Sequence, residues 1–370
     1  MIFIAYKFLF YLSLVGIMQG SYSQKLFDTS CIKTNISQKS TKIFSAQDIE
    51  TLRKALLFKP KLPKNLTLIG HRGMGSTNTS SSFLSNSIPE NTLESFKQAI
   101  ISGADGIEVD IFETRDGHLL IIHDDELWKN IYNVDRNGLE LPAFETQSSF
   151  RVSQKDLVDL EKLSVGPMGQ KPPVLSEVFE LIEEANEIRK SCQTPPLVLN
   201  IDVKSPKVSK KCLKWVESYL QKNKEKTINF SHIFFTSSDP EALKITHETT
   251  LNDYRHVNTV LQITTEQIYG KENTGENYIV KNPSHFNLEY LKSLKKMIQT
   301  HRIGGIDCVV WDINPFLINL CKKEHLDLHL YVSNYKHSKH DQDLARLIRS
   351  LSKYFPVCGC FKILHSGIRA

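Results

Sequence analysis

From residue 66 onward, short apolar runs alternate with segments whose apolar residues recur every three or four positions. The first pattern predicts buried strands and the second predicts amphipathic helices. Strands are expected at residues 66–70, 106–112, 119–123, 197–204, 232–237, 257–264, 306–311, 328–333 and 361–364. Helices are expected between them at 91–102, 176–189 with Ser176 as cap, 208–220, 240–249 opening on Pro240, 287–301, 315–324 and 342–351. An earlier helix begins at Ser45, an N-cap with Asp48 three positions on and Leu52, Ala55 and Leu56 along one face, and Pro60 and Pro63 close it. Residues 128–169 and 266–284 are polar insertions with no regular period.

Strands separated by helices argue for a parallel sheet with helices outside it. About nine strand candidates over ~300 residues suit an α/β fold of the (β/α)₈ TIM-barrel type, with one extra strand or one false assignment. A doubly wound open sheet is the alternative. Neither a Gly-x-Gly-x-x-Gly turn after the first strand nor a Gly-Lys-Ser/Thr loop occurs, so its nucleotide-binding versions have no anchor here.

The chain has 370 residues and a net charge of +5, with its lysines scattered rather than striped. That pattern gives nucleic-acid binding no footprint. The N-terminal segment carries one early cation, Lys7, then an apolar run over residues 8–18 and the small polar residues 20–23. This is the layout of a signal peptide and is too short to span a bilayer. The expected organisation is therefore a signal peptide (1–23), an N-terminal extension (24–63) and one barrel domain (64–370), in a secreted protein whose contact with membranes is at most peripheral. Export would permit disulfides. The seven cysteines, Cys31, Cys192, Cys212, Cys308, Cys321, Cys358 and Cys360, form neither a zinc spacing nor a compact disulfide framework, and their odd number leaves at least one unpaired thiol or one intermolecular bridge. Cys308 and Cys321 read as small core residues. Glycosylation sequons stand at Asn35, Asn65, Asn78 and Asn229.

The chemistry concentrates between residues 69 and 124, with one later strand. On the strand around residues 107–111, Glu108 and Asp110 share one face, and Ile107, Val109 and Ile111 share the other. In a barrel the two carboxylates point inward, where burying them unpaired is costly. A hard divalent cation, Mg²⁺ or Ca²⁺, relieves that repulsion; pairing with Lys or Arg is the plainer reading. The strand around 199–204 repeats the arrangement with Asn200, Asp202 and Lys204. Asp202 there either completes a three-carboxylate site or forms an intrastrand ion pair with Lys204. His71 and His123 follow the ends of apolar runs, where a histidine pair can serve as general base and general acid. Arg72 and Lys204 suit a phosphate, the first by its bidentate fork and the second as a point charge. Metal, cations and two proton carriers at one barrel mouth suggest phosphodiester cleavage.

In this order, His71-Arg72-Gly73, Glu90-Asn91-Thr92, Gly103-Ala104-Asp105, Glu108-x-Asp110, Thr114-x-Asp116-Gly117, His123-Asp124 and the strand from Asn200 to Lys204 resemble the glycerophosphodiester phosphodiesterase family. The resemblance implies a TIM-type barrel of the PLC-like phosphodiesterase superfamily, a divalent metal, and hydrolysis of glycerophosphodiesters to sn-glycerol 3-phosphate and an alcohol. It implies metal ligation by Glu108, Asp110 and Asp202, acid/base work by His71 and His123, phosphate contacts from Arg72 and Lys204, and supporting roles for Glu90 and Asn91. It also implies attack on phosphorus by a substrate hydroxyl, giving a cyclic phosphate that water opens. The chain departs from the family pattern at Asp202, where glutamate is usual. The Ser/Asn-rich insertion at 74–89 is similar to the eukaryotic-type branch that cleaves glycerophosphocholine. The final strands, 330–334 and 361–367, match the family endings only loosely.

Two further readings are open. One keeps the site but gives it a lysophospholipid or sphingomyelin substrate in a phospholipase D-like reaction, with Phe83, Leu84 and Ile88 as the apolar contacts. The other is a non-catalytic secreted binding barrel, which has no need of both histidines and three carboxylates.

Overall fold

The computed structural model describes residues 42–58, 66–74, 88–127, 131–135, 151–165, 169–248, 257–269, 287–309, 312–331 and 357–361. Its strands are β1 (Leu66–Gly70), β2 (Gly106–Glu113), β3 (Leu119–Ile121), β4 (Ile131–Asp135), β5 (Leu163–Val165), β6 (Val198–Val203), β7 (Ile233–Ser237), β8 (Asn258–Ile263), β9 (Gly305–Val309), β10 (Asp327–Tyr331) and β11 (Val357–Phe361). Its helices are α1 (Ala46–Leu57), α2 (Leu93–Ile101), α3 (Leu157–Leu160), α4 (Leu175–Ser191), α5 (Pro206–Lys222), α6 (Pro240–Glu248), α7 (Thr265–Tyr269), α8 (Leu288–His301) and α9 (Pro315–Glu324).

Parallel pairing runs β1-β2-β6-β7-β8-β9-β10-β11, and β11 returns to β1, so eight strands close a ring. This is the (β/α)₈ architecture expected from the alternation. The open-sheet alternative fails because β1 is hydrogen-bonded on both sides. The surplus strand is β3, which turns back antiparallel on β2.

Alternation explains how the ring packs. Ile107, Val109 and Ile111 of β2 and Leu199, Ile201 and Val203 of β6 are fully buried against α2, α4 and α5 through Phe96, Ile100, Val178, Ile182 and Leu213. A second cluster covers the opposite arc, where Leu261, Ile263, Ile306, Cys308, Leu328 and Leu330 meet Leu291, Leu294 and Ile298 of α8 and Leu317 and Cys321 of α9. Each such aliphatic side chain contributes about 1.5–3 kcal/mol by leaving water. Cys308 and Cys321 are buried free thiols within this cluster.

Local signals set most helix starts. Ser45 and Asp48 form a reciprocal capping box at α1, and Thr92, Ser205, Asn287 and Asn314 cap α2, α5, α8 and α9. The expected cap Ser176 is instead inside the first turn of α4. The helix begins after Val174, whose N–H donates to Glu177 Oε2 at 2.9 Å, so the carboxylate reaching back sets the start. The extension before the barrel packs onto it, with Phe44, Leu52 and Leu56 in the first core cluster and the Ile43 and Phe44 N–H groups donating to Glu184.

The first polar insertion contains an antiparallel β4–β5 pair, and Val152 and Leu160 from it pack with Leu120 and Ile122. Its long sequence separation between pairing partners hides it from any periodicity. The last strand is Val357–Phe361 rather than 361–364, displaced because register with β1 and β10 pairs Val357 with Leu66 and with Leu328. The expected helix at 342–351, residues 1–41, most of 266–284 and the insertion at 75–87 lie outside the described residues. Among the described residues no helix is long and apolar enough to cross a membrane.

Candidate active site

Of the nine residues singled out in the sequence, Asp202 and Lys204 stand at the end of β6, and five lie in the segments that follow β1 and β3. Glu108 and Asp110 are the inward β2 residues just beyond the C-terminal end of β1, where Gly70 pairs with Ile107. This is the end of a (β/α)₈ barrel that carries chemistry. Glu108 and Asp110 are inward-facing on β2, and Asp202 is their neighbour on β6, where Asp110 and Asp202 are register partners. The three are buried, and one oxygen from each lies within 4.8 Å of the others. The shorter Asp202 therefore still joins the group.

The turn after β1 brings up the cation. Gly73 N–H donates to Gly70 O at 3.1 Å, and Asn91 N–H donates to Arg72 O at 3.1 Å. Ser95 Oγ donates to Arg72 O at 3.0 Å and accepts from Met74 N–H at 2.8 Å. Gly73 has φ +84°, and a Cβ there would lie 2.6 Å from the Ser95 carbonyl carbon, so the position needs glycine. Arg72 and Asn91 have φ of 51° and 53°. Non-glycine residues in this left-handed region cost about 1–3 kcal/mol each, a strain that clusters at functional sites.

Arg72 is held in place by carboxylates. Its N–H donates to Glu108 Oε2 at 2.7 Å and its Nη1 to Glu90 Oε1 at 2.8 Å. Nε lies 3.2 Å from Asp110 Oδ2, out of line for a hydrogen bond. Asn91 grips Asp110 from the other side, donating from Nδ2 to Oδ2 at 2.8 Å and accepting the Asp110 N–H at 3.3 Å. Lys204 Nζ lies 2.5 Å from both Asp110 Oδ1 and Asp202 Oδ2. The ion pair Asp202–Lys204 and the carboxylate cluster are thus both present.

His71 Nε2 stands 4.0 Å from Glu108 Oε2. His123, two residues past β3, has Nδ1 2.9 Å from Asp124 Oδ2 and is near enough to His71 and Asp110 to act on their charges. Burial, and then the Arg72 guanidinium, push the His71 imidazole down to about 3. Burial and the Asp110 charge raise Glu108 well above its usual range, and the same two causes raise Asp202. Burial also opposes the charge on Asp110, but Lys204 and Arg72 overcome it and hold Asp110 low.

The donor set fits a hard divalent ion. Glu108, Asp110 and Asp202 crowd one buried cluster; burial and the repulsion between them raise Glu108 and Asp202, and that repulsion is what a cation there would relieve. All three converging ligands are oxygens, as Mg²⁺ or Ca²⁺ prefers.

One part of the motif string has a structural task. Thr114 Oγ1 donates to Asp116 Oδ1 at 2.5 Å, Gly117 N–H closes the turn onto Thr114 O at 3.0 Å, and exposed Asp116 accepts the Leu157 N–H. It ties the β2–β3 turn to α3, away from the carboxylates.

Sequence reasoning missed two buried polar residues in the same barrel. Asp307 on β9 and His329 on β10 are register partners, and Asp307 is close enough to Asp202 to raise its own affinity for a proton. On β10 the alternation Asp327, His329 carried a signal, whereas Asp307 is the one charged residue of β9.

The family model for the glycerophosphoryl diester phosphodiesterase family matches residues 71–330. A glycerophosphodiester phosphodiesterase of Caldanaerobacter subterraneus is 32% identical over 159 residues, covering 40% of this chain and 55% of the relative. One of Bacillus altitudinis is 28% identical over 149 residues, covering 39% and 54%. The chain thus spans about half the length of the curated relatives it matches. In fold it is similar to a crystal structure from Silicibacter pomeroyi assigned to the same group, with TM-score 0.55 and 16% identity over 85% of this chain and 93% of that one. A Galdieria sulphuraria structure gives TM-score 0.53 and 18% identity, over 82% and 96%. The matched segment runs through most of the barrel and holds every residue of the site, and the chain belongs to the glycerophosphoryl diester phosphodiesterase family.

Proposed function

We propose that the chain hydrolyses glycerophosphodiesters, glycerophosphocholine among them, to sn-glycerol 3-phosphate and the free alcohol. The observation that carries this reading is the buried Glu108, Asp110 and Asp202 triad, flanked at one barrel mouth by Arg72, Lys204 and two histidines. Glu108, Asp110 and Asp202 would hold a Ca²⁺ or Mg²⁺ ion, which supplies charge stabilisation at the phosphoryl oxygens when bound.

The chain's own residues then divide the work. Lys204 and Arg72 orient the phosphate, Lys204 as a point charge and Arg72 through its guanidinium fork. Glu90 and Asn91 position Arg72 and Asp110. His71, uncharged at neutral pH because of its burial beside Arg72, accepts the proton from the glycerol 2-hydroxyl as that oxygen attacks phosphorus. His123, oriented by Asp124, gives a proton to the departing alcohol oxygen. The bond to the alcohol breaks as the cyclic glycerol phosphate forms, and water then opens the ring with the two histidines exchanging roles.

The experiment is a product screen over glycerophosphocholine and its analogues, lysophosphatidylcholine and sphingomyelin, with and without chelator. Glycerol 3-phosphate and choline should appear together and vanish with EDTA. Release of phosphocholine, or turnover that survives EDTA, contradicts the reading. Faster turnover of a lysolipid would favour the phospholipase D-like alternative; of its three apolar candidates, Ile88 is partly buried against the core and the other two lie outside the described residues. A secretory route for residues 1–23 is tested by sequencing the N-terminus of the mature protein.

A further inference from the structure

Lys204 occupies a place that conflicts with both of its partners' proposed tasks. Its Nζ lies 2.5 Å from Asp110 Oδ1 and from Asp202 Oδ2, and those side chains are two of the three that converge as a cation site. An ammonium offers three donors and no acceptor, so it satisfies the carboxylates by charge, much as a metal would. Two cations drawn to the same pair of carboxylates repel each other strongly. The geometry also supplies an exit. The Lys204 side chain is 21% exposed, against 2% for Asp110, and it sits on a flexible four-carbon stem. Arg72 has no such freedom, being fixed at its backbone by Glu108 and at its head by Glu90.

We propose that Lys204 is a charge plug: its ammonium and a divalent cation compete for Asp110 and Asp202, and cation binding frees Nζ toward the mouth, where it can take a phosphate oxygen. The proposal rests on reading the triad as a metal centre. It makes phosphate binding ordered, because without the cation the lysine is already engaged by carboxylates. It also gives the metal-free protein a way to keep buried carboxylates from facing one another unscreened.

Two measurements on the full chain decide it. Calorimetric titration with Ca²⁺ or Mg²⁺ alone should give at least tenfold tighter binding to Lys204→Met than to wild type. In wild type, brief acetylation read by mass spectrometry should label Lys204 several-fold faster once the cation is added. A lysine that stays in place and acts only by its charge would tighten binding in the variant but leave labelling unchanged, and that result overturns the plug. So does a variant that binds the cation no more tightly than wild type. If Lys204→Met fails to fold, the wild-type labelling alone decides. Should wild type bind no divalent cation at all, the metal reading falls and the plug with it; binding without release of Lys204 sinks the plug only.

Discussion

The arc built from β1, β2 and β6 and the arc built from β8, β9 and β10 obey the same alternation, yet they fill the barrel with different chemistry. Both present aliphatic side chains to the helices. Inside, the first arc compensates charge at its centre, where Asp110 alone meets Asn91, Lys204 and Arg72, although burial also pushes its Glu108 up and its His71 down toward their neutral forms. The second arc holds titratable groups and neutralises them instead. Burial, with the Asp202 charge, pushes the Asp307 carboxyl up to about 8, and burial pushes the His329 imidazole down to about 3. Asp307 Oδ1 and both ring nitrogens of His329 have no hydrogen-bond partner in the described structure. Compensated charge is poised to meet a charged ligand, whereas neutralised charge is only a cost that the fold carries.

The sharpest test of that contrast is on the charged arc. His71→Ala and His123→Ala should each lower kcat for glycerophosphocholine by about 10²–10⁴-fold, the range for loss of a general acid or base. Thermal unfolding of the His123 variant should stay near wild type because that side chain is part-exposed. Near-normal turnover in either variant would sink the two-histidine mechanism. Next in size, Glu108→Ala should abolish calorimetric Ca²⁺ or Mg²⁺ binding while the circular dichroism spectrum is retained. Unchanged affinity would remove Glu108 from the ligand set.

Much of the first arc was legible because period-two alternation is local. Once residues 107–111 are a strand, Glu108 and Asp110 must share a face, and they do. The same rule exposes the pair Asp202 and Lys204. Contacts across long sequence separation were not legible. The grip of Asn91 on Asp110 depends on a left-handed residue 91, and the β4–β5 pair depends on register between segments some thirty residues apart. Nor could alternation tell that Lys204 would bridge two strands, since it reports faces and not distances. Asp307 and His329 were hidden differently: Asp307 is the one charged residue of an apolar strand, and Asp327, which alternates with His329, stood just outside the strand expected at 328–333.

Those two residues give the next contrast. Asp307 is protonated in the fold at neutral pH but ionised in the unfolded chain above its ordinary value of 3.8, so the folded state binds the extra proton. Its contribution is fully present below pH ~4 and is lost as pH rises toward 8, with a slope of at most roughly 1.4 kcal/mol per unit. Asp307→Asn keeps the shape and cannot ionise. Urea unfolding at several pH values should show the variant gaining on wild type steadily from pH 5 to 8. Parallel curves would mean that Asp307 is ionised in the fold, and the second arc would then hold charge after all.

The smallest effect is expected at His329, and it has the opposite sign. Its folded value lies below the ordinary 6.5, so the unfolded chain takes a proton that the folded one refuses. Stability from this residue is therefore present above pH ~6.5 and is lost as pH falls toward 3. His71 shares the same window and direction, so replacing His329 should remove about one proton's share of the acid slope and leave another. His329→Leu also removes two unpartnered nitrogens from a fully buried position beside Phe234, whose ring centroid lies 5.1 Å away. The variant should be as stable as wild type or more stable by about 1–3 kcal/mol at pH 7, the usual cost of unsatisfied buried polar groups. Its kcat should match wild type, because neither ring nitrogen of this histidine is hydrogen-bonded to a residue of the site. A loss of activity with stability unchanged would show the two arcs working as one site, and the division between compensated and neutralised halves would have to be given up.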